Sequence, residues 1–264
     1  MTFAAQWTDL RVRILSGLAV LAVGLSAVWC GGIPVRLLAS GAAGLMIWEL
    51  ARMQAPDRPA EARLSGALAT VALAAVLWRH DVRWMVVLLL PAAGLLLMPG
   101  RDRLLHAIYA ALLMLACYAF VAFREGFGLA FALWLLLIVV ASDVLGYFGG
   151  RVIGGPKFWP RLSPKKTWSG TVSGWAGAAV VGLAFAALYR EPLNLVVLSV
   201  LTAFAAQMGD IAESWIKRRA GVKDSSALIP GHGGVLDRFD ALIGASVFIL
   251  LWVIARMQLP DFGY

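Results

Sequence analysis

Charged and metal-binding side chains are scarce in this chain of 264 residues. Only 14% of the residues are Asp, Glu, Lys or Arg, and the chain has two Cys and three His. Cys30 and Cys117 lie in or at the end of apolar stretches, which argues against a disulfide framework and favours small buried side chains. The sequence G-x-x-x-x-G-K-[ST] is absent, which excludes the P-loop class of nucleotide-binding proteins.

Apolar residues are abundant instead, at 61% of the chain. Several apolar runs approach the length of about 20 residues that an α-helix needs to cross a bilayer. The composition therefore predicts an all-α polytopic integral membrane protein. The net charge of +8 would suggest a nucleic-acid partner in a soluble protein. In a membrane protein it reflects the cytoplasmic Lys/Arg bias and contact with anionic lipid, so we expect no nucleic-acid partner.

Hydropathy divides the chain into about nine transmembrane helices, of which the third and fourth are short for full spans. Their predicted bounds are 12–30, 33–53, 64–79, 83–98, 104–123, 126–145, 171–190, 193–212 and 238–257.

The distribution of positive charge predicts the orientation. With the N-terminus in the cytoplasm and the C-terminus outside, 17 of the 23 Lys and Arg residues fall on the inner side, as the positive-inside rule requires. This orientation puts two polar loops, 146–170 and 213–237, in the cytoplasm. We therefore divide the chain into N-terminal scaffold helices, 1–125, and a C-terminal catalytic region, 126–264.

The scaffold helices carry little chemistry. Glu49 lies near the end of the second predicted span. It is interpreted as an interfacial or pore-facing acid near Arg52, with a catalytic role as the less favoured alternative.

The polar residues gather instead between residues 207 and 240. If the segment entering this cluster is helical, four polar residues fall on one face, at i, i+3, i+4 and i+7: Asp210, Glu213, Ser214 and Lys217. Asp237 and Asp240 would share the first turn of the next helix. Two carboxylate pairs separated by a basic, glycine-containing loop suit Mg²⁺ and a phosphorylated substrate.

A second polar stretch precedes this cluster. Asp143 ends the sixth predicted span, and the glycines that follow allow the backbone to approach a phosphate or to bend sharply. Further along, Ser163–Gly170 contains Lys165, Lys166 and Thr167. From this stretch alone, a phosphate-binding role and ordinary cytoplasmic flanking charge are both open.

The segment Ser214–Asp240, called here the signature segment, has the pattern S-x-I-K-R-x4-K-D-x-S-x2-I-P-x-H-G-G-V-x-D-R-F-D. This pattern resembles the signature of the phosphatidate cytidylyltransferases, or CDP-diacylglycerol synthases. Ser142–Arg151 and Ser163–Gly170 are similar to two further segments of that family, except that Ser169 stands where the family usually has Glu or Gln. The resemblance implies a homodimer. We expect a multi-pass protein of the inner (plasma) membrane with its active site on the cytoplasmic side, where the Lys/Arg bias puts both polar loops.

The resemblance also implies a reaction. Phosphatidic acid would attack the α-phosphorus of CTP and release pyrophosphate, giving CDP-diacylglycerol. A phosphate monoester has a second pKa near 6, so it is largely dianionic at pH 7 and needs no general base. The obstacle is repulsion between two polyanions, which Mg²⁺ and basic side chains relieve. A second, monovalent cation is an additional possibility.

Roles follow for the polar residues of the three segments. Asp210 and Asp237 are the leading candidates for metal ligands, followed by Asp240 and Asp143. Gly233 and Gly234 are expected to form a tight turn with His232, which either donates a proton to pyrophosphate or anchors the turn. The candidate catalytic residues are Lys166, Ser214, Lys217, Arg218, Lys223, His232 and Arg238. The candidate CTP-binding residues are Ser163, Lys165, Lys166, Thr167, Gly233 and Gly234.

Two other functions remain open at this point. CTP-dependent polyprenol or phytol kinases resemble this family in their C-terminal region and transfer the γ-phosphoryl group to a lipid alcohol. A membrane transporter would also carry intramembrane acids, but distributed over several spans of two related halves. Here the acids gather at one end of the C-terminal half, which favours the transferase.

Overall fold

The structure is a computed structural model that describes residues 3–79, 82–160 and 163–258, and it is almost entirely helical. Nine α-helices, one 3₁₀ helix and one β-hairpin follow each other in these residues. The α-helices are α1 Phe3–Cys30, α2 Gly32–Gln54, α3 Pro59–Arg79, α4 Leu90–Leu97, α5 Arg103–Gly126, α6 Gly128–Val152, α7 Trp168–Tyr189, α8 Asn194–Arg219 and α9 Leu236–Gln258. The 3₁₀ helix is Val82–Leu89, and the hairpin strands are β1 Lys157–Trp159 and β2 Ser163–Thr167.

Eight helices in the described residues are long and apolar enough to span a membrane. The chain is therefore a multi-pass, all-α membrane protein. The third predicted span is longer than expected, because α3 begins at Pro59 and reaches 21 residues. The fourth is a 3₁₀ helix followed by the eight-residue α4. Pro91, which lacks a backbone N–H, lies at the start of α4 and interrupts the hydrogen-bond ladder there.

The chain forms two compact units. The first unit comprises residues 1–129 and 216–239, and the second comprises 130–215 and 240–264. The signature segment after Trp215 thus clusters mainly with the N-terminal helices. The division of roles at residue 125 concerns function and stays a prediction.

In the first unit, α2 packs against α3 and α5. The fully buried side chains of these helices are mostly apolar and include Met46, Ile47, Leu50, Leu73, Leu113 and Met114. The loop between α8 and α9, residues 220–235, also belongs to this unit and is called here the signature loop.

In the second unit, Trp134, Leu135 and Ile138 of α6 are buried. Trp134 Nε1 donates to Ser199 Oγ of α8 at 3.0 Å. α8 and α9 approach each other closely at two glycines, since a Cβ on Gly209 would lie 2.9 Å from the backbone nitrogen of Gly244. This contact lies directly beside Asp210.

The polar loops are shorter than the sequence predicts, because two helices continue beyond their apolar stretches. α6 runs on to Val152, so Asp143 and the glycines at 146, 149 and 150 are helical. These glycines therefore do not form a phosphate loop. Gly146 and Gly150 instead let α6 lie close to Gly170 at the start of α7. Likewise, α8 extends to Arg219 and includes the whole face predicted to be helical.

Candidate active site

A cavity of about 550 Å³ opens in the second unit. Its polar wall combines carboxylates with cations, and its apolar wall includes the glycines of α6. The lining residues are Ser142, Asp143, Gly146, Tyr147, Gly150, Arg151, Lys166, Thr167, Gly170, Thr171, Gln207 and Asp210. The cavity thus brings together residues from all three polar stretches of the second unit.

An ion pair lies in the lining of this cavity. Lys166, on β2, forms a salt bridge with Asp210, on α8, and both side chains are about a quarter exposed. Ser214 lies one turn further along α8, with its hydroxyl 3.4 Å from Asp210 Oδ1. This contact bears out the predicted i, i+4 arrangement of these two residues.

Gln207 fixes the position of α8 at the cavity. Its side-chain nitrogen donates to Ser142 Oγ of α6 at 3.1 Å and lies 3.3 Å from the carbonyl of Thr171. Its oxygen accepts from Trp175 Nε1 of α7 at 3.1 Å. Because Gln207 is buried, these bonds join three helices one turn before Asp210. Gln207 was not among the predicted site residues, although an amide in an apolar helix is a signal of such a bridge.

The β-hairpin places Lys166 next to a helix start. Thr167 ends β2 and caps α7, because its hydroxyl accepts from Gly170 N at 3.2 Å. Ser169 Oγ donates to the carbonyl of Gly154 and lies 3.0 Å from Thr167 Oγ1. Ser169, the residue that departs from the family pattern, therefore connects the segment before β1 to the end of β2. Ser163 pairs with Trp159 across the hairpin, and the side chain of Lys165 lies outside the described part of the structure.

In the first unit, Asp237 is surrounded by donors. Lys217 Nζ lies 2.5 Å from its Oδ1. Its Oδ2 accepts from the backbone nitrogens of Ser225 and Gly234, at 2.9 and 2.7 Å, and from Ser225 Oγ at 2.9 Å. In this arrangement Asp237 shapes the signature loop through Oδ2, which accepts three hydrogen bonds, whereas Oδ1 is contacted by Lys217.

The predicted His-Gly-Gly turn is present within the signature loop. Ile229 and Gly233 form a β-bridge, and His232 N donates to the carbonyl of Ile229 at 2.9 Å. His232 Nδ1 lies 3.0 Å from Ser16 Oγ of α1, a contact that fits an anchoring role. A Cβ on Gly234 would collide with Ser225 Oγ and the Glu49 carboxylate, so any larger residue at this position would have to displace these side chains.

Glu49 differs from its sequence-based interpretation. The interpretation as an interfacial or pore-facing acid is wrong, because Glu49 is fully buried. Its Oε1 accepts from Ser226 Oγ at 2.6 Å and from Val235 N at 2.9 Å. Its Oε2 accepts from Leu236 N at 2.7 Å and lies 3.1 Å from Ser225 Oγ. Hydropathy and spacing gave no signal for this contact, because its partners are separated from Glu49 by about 180 residues.

The other basic residues of the signature segment are exposed. Arg218, Lys223 and Arg238 all face outward, and Arg218 Nη1 lies 3.4 Å from the carbonyl of Val222. Arg219 binds both oxygens of Asp102 in the α4–α5 connection, and this hydrogen-bonded pairing holds the pKa of Asp102 below its usual range. Lys223 is therefore an exposed cation on the signature loop, while Arg218 and Arg238 are exposed on the helices at its two ends.

The second unit offers the better set of metal ligands. Within either unit, the described residues contain no group of three or more His, Cys, Asp or Glu side chains arranged to hold a metal ion. Mg²⁺, however, is commonly bound by one or two carboxylates together with substrate phosphates and water. Asp143 and Asp210 line one cavity and fit this requirement. Asp240 lies in the first turns of α9, where its Oδ1 accepts from Ala241 N at 2.7 Å.

Comparisons with known proteins agree on one family. Residues 11–255 match the model of the Cytidylyltransferase family. A phosphatidate cytidylyltransferase of Brucella suis biovar 1 (strain 1330) is 34% identical over 282 residues, which covers 96% of this chain and 97% of that protein. A phosphatidate cytidylyltransferase of Bacillus subtilis (strain 168) is 29% identical over 270 residues, covering 91% of this chain and 96% of that protein.

A shorter and more similar match covers about half of each chain. A phosphatidate cytidylyltransferase of Haemophilus influenzae is 42% identical over 128 residues, or 46% of this chain and 44% of that protein. The family model spans both units, and the Brucella relative aligns over nearly its whole length. This chain belongs to the Cytidylyltransferase family.

Proposed function

We propose that this protein transfers the cytidylyl group of CTP to phosphatidic acid, making CDP-diacylglycerol and pyrophosphate for phospholipid synthesis. The relatives named phosphatidate cytidylyltransferase align over almost the whole chain. The observation that carries the proposal at the level of residues is the cavity lined by Asp143, Lys166 and Asp210. Such a cavity accommodates the phosphates of a nucleotide.

The reaction is an in-line displacement at phosphorus. An oxygen of the lipid phosphate forms a bond to the α-phosphorus of CTP, while the bond from that phosphorus to the bridging α–β oxygen breaks. Pyrophosphate leaves with the electron pair. Because the lipid phosphate is already a dianion at neutral pH, the chain need not remove a proton from it. The task of the protein is therefore to position two anions and neutralise their repulsion.

The residues of the cavity are suited to this task. Lys166 supplies a positive charge at its wall, and Arg151 supplies a second. Arg151 Nη1 donates to Tyr147 Oη at 2.7 Å, which orients its guanidinium group. Asp210 holds the ammonium group of Lys166 in place. The exposed Arg218, Lys223 and Arg238 of the signature segment remain candidate phosphate ligands.

Asp143 and Asp210 would hold Mg²⁺, with substrate oxygens and water completing its coordination. When bound, the ion supplies charge neutralisation to the triphosphate. The roles of Asp237 and Asp240 as ligands, and a second, monovalent cation, stay predictions. Asp237 is the weaker candidate, because its Oδ2 already accepts three hydrogen bonds from the signature loop and its Oδ1 pairs with Lys217.

We propose further that the protein crosses the bacterial inner membrane nine times, with the N-terminus and the active site on the cytoplasmic side. The Lys/Arg bias of the sequence supports this orientation. Nine crossings require that the 3₁₀ helix and α4 together form the fourth span. The homodimer implied by the family resemblance also stays a prediction. Reaction of single-cysteine variants with an impermeant maleimide in intact cells would test the orientation, with Asp57→Cys expected to be protected.

An assay with differently labelled CTP tests the function. Purified protein in detergent micelles is given phosphatidic acid, Mg²⁺ and CTP labelled at the α-phosphate or at the γ-phosphate. Only the α-label is expected in the lipid phase. Transfer of the γ-label to a polyprenol would identify a CTP-dependent lipid kinase instead. Failure of both labels to reach any lipid would overturn the transferase proposal and direct attention to ion flux.

A further inference from the structure

The signature loop depends on a carboxylate from the other half of the sequence. Glu49 lies on α2, and its four hydrogen-bond partners lie between residues 225 and 236. All four can donate a hydrogen bond, which suits a carboxylate because its oxygens only accept. This side chain is completely shielded from solvent, so water cannot replace the bonds when they are lost.

Glu49 caps the N-terminus of α9. The residue before this helix is Val235, whose side chain cannot accept a hydrogen bond, although the first N–H groups of a helix need acceptors. Glu49 accepts from Val235 N and Leu236 N. A negative charge at this helix end is also favoured by the helix dipole. The start of α9, and with it Asp237 and Arg238, is thereby held in place.

Glu49 and Asp237 are joined through one hydroxyl group. Ser225 Oγ lies 3.1 Å from Glu49 Oε2 and 2.9 Å from Asp237 Oδ2, and its single proton serves both carboxylates. Gly234 lies between the same groups, where a Cβ would meet both Ser225 and Glu49. The geometry of the Gly-Gly turn is therefore set partly by α2.

We propose that Glu49 is a positioning residue of the cytidylyl transfer: it holds the signature loop and the start of α9 in the arrangement that presents Lys223 and Arg238 to phosphate. This inference rests on the proposed function. By this inference a residue of the N-terminal helices contributes to the reaction without contacting substrate.

The test compares Glu49→Gln with Glu125→Gln in the purified full-length protein. Glutamine keeps the size of the side chain but leaves one oxygen to accept bonds and adds two N–H donors facing other donors. Glu125 is a matched control, because it is also a hydrogen-bonded carboxylate of the first unit, paired with Arg36 at 2.6 and 2.9 Å. Each variant is assayed with α-labelled CTP, phosphatidic acid and Mg²⁺, and peptides spanning 222–238 are followed by hydrogen exchange.

For Glu49→Gln we expect kcat/KM to fall about 10- to 100-fold, the range known for residues that orient a functional group. We also expect a higher KM for CTP or phosphatidic acid, because substrate must then order the loop as it binds, and faster exchange in residues 225–236. Partial unfolding alone would lower the amount of active protein and leave KM unchanged. Glu125→Gln is expected to match the wild type in all three measurements.

Unchanged KM and unchanged exchange in Glu49→Gln would overturn the inference, and so would faster exchange with unchanged KM. Absence of transfer by the wild type would overturn the proposed function instead, so the two failures are distinguishable. If Glu49→Gln does not accumulate in cells, Ser226→Ala removes a single donor and is expected to give the same changes at smaller amplitude. Wild-type behaviour of Ser226→Ala in that case would also count against the inference.

Discussion

In the cavity of the second unit, Asp143 is exposed and the side chain of Asp210 is 30% exposed, with a lysine as its ionic partner. In the first unit, Glu49 and Asp237 each receive several hydrogen bonds from the signature loop. All four side chains are carboxylates, but their surroundings suit different roles. Carboxylates at a cavity wall can accept a cation or a substrate, whereas carboxylates that accept several backbone N–H groups determine the path of the backbone.

The comparison shows why motif and role need not coincide. Asp237 belongs to the most specific pattern in the sequence, and its oxygens are engaged in building the loop. Asp143 belongs to a weaker pattern and lines the cavity. An acid within a signature pattern is therefore as consistent with a structural role as with metal binding, and its environment distinguishes the two.

The largest expected effect follows from Asp210→Asn, which removes the partner of Lys166 and a candidate metal ligand. We expect transfer of the α-label to fall by about 10³-fold or more, on the scale of several kcal/mol of lost electrostatic stabilisation. Thermal unfolding should stay close to that of the wild type, because Asp210 is partly exposed. Asp57→Asn, on an exposed connection, serves as the control and should retain full activity.

Lys166→Gln should lower transfer by about 10²-fold, because the cavity loses a charge that neutralises phosphate. Lys166→Arg should restore part of the rate, since the positive charge is kept but its geometry changes. Rates of both variants under saturating CTP provide the measurement. Equal loss in the arginine and glutamine variants would show that charge is not what Lys166 contributes.

Asp237→Asn tests whether Asp237, unlike Asp210, holds the signature loop in place. The variant loses acceptor capacity facing Lys217 and the signature loop, so trypsin should cut at Lys223 faster than in the wild type. Asp210→Asn should leave that cleavage rate unchanged. If Asp237→Asn abolishes transfer while the loop stays as resistant as before, Asp237 is a ligand and the assignment of loop building to it is wrong.

Gly234→Ala should destabilise the protein by about 1–3 kcal/mol, the usual cost of forcing extra atoms into a packed site. The added methyl group meets Ser225 Oγ and the Glu49 carboxylate. Thermal unfolding in detergent is the measurement. Gly24→Ala is the control, because a Cβ there meets no atom within 4 Å, and it should unfold like the wild type.

The smallest effect is expected from Asp102→Asn, which breaks an exposed ion pair with Arg219. Because the pKa of Asp102 is lowered in the folded state, its contribution is present above the ordinary Asp pKa of about 3.9 and is lost as the pH falls below it. Unfolding temperatures of the variant and the wild type should thus differ slightly at pH 7 and converge in acid. A constant difference down to low pH would contradict this origin.

Much of the fold could be predicted, because apolar runs of sufficient length specify membrane helices directly. The interruption at Pro91 and the extension of α6 and α8 could not be located, since polar residues such as Asp143 and Arg219 end a hydropathy run without ending a helix. Local motifs singled out Lys166 and Asp210, which line one cavity and form an ion pair, and their roles in the reaction stay predictions. Glu49 and Gln207 were missed, because their partners come from distant parts of the chain, where periodicity carries no information.

The most direct test of the account is the transfer assay on Asp210→Asn, carried out together with hydrogen exchange on its signature loop. We expect α-label transfer to be lost while exchange in residues 225–236 equals that of the wild type. The reason is that Asp210 is assigned to the reaction, whereas Glu49 and Asp237 are assigned to holding the loop. Transfer at the wild-type rate would contradict the assignment of the cavity as the active site. Loss of transfer accompanied by an unprotected loop would contradict the separation of the two roles.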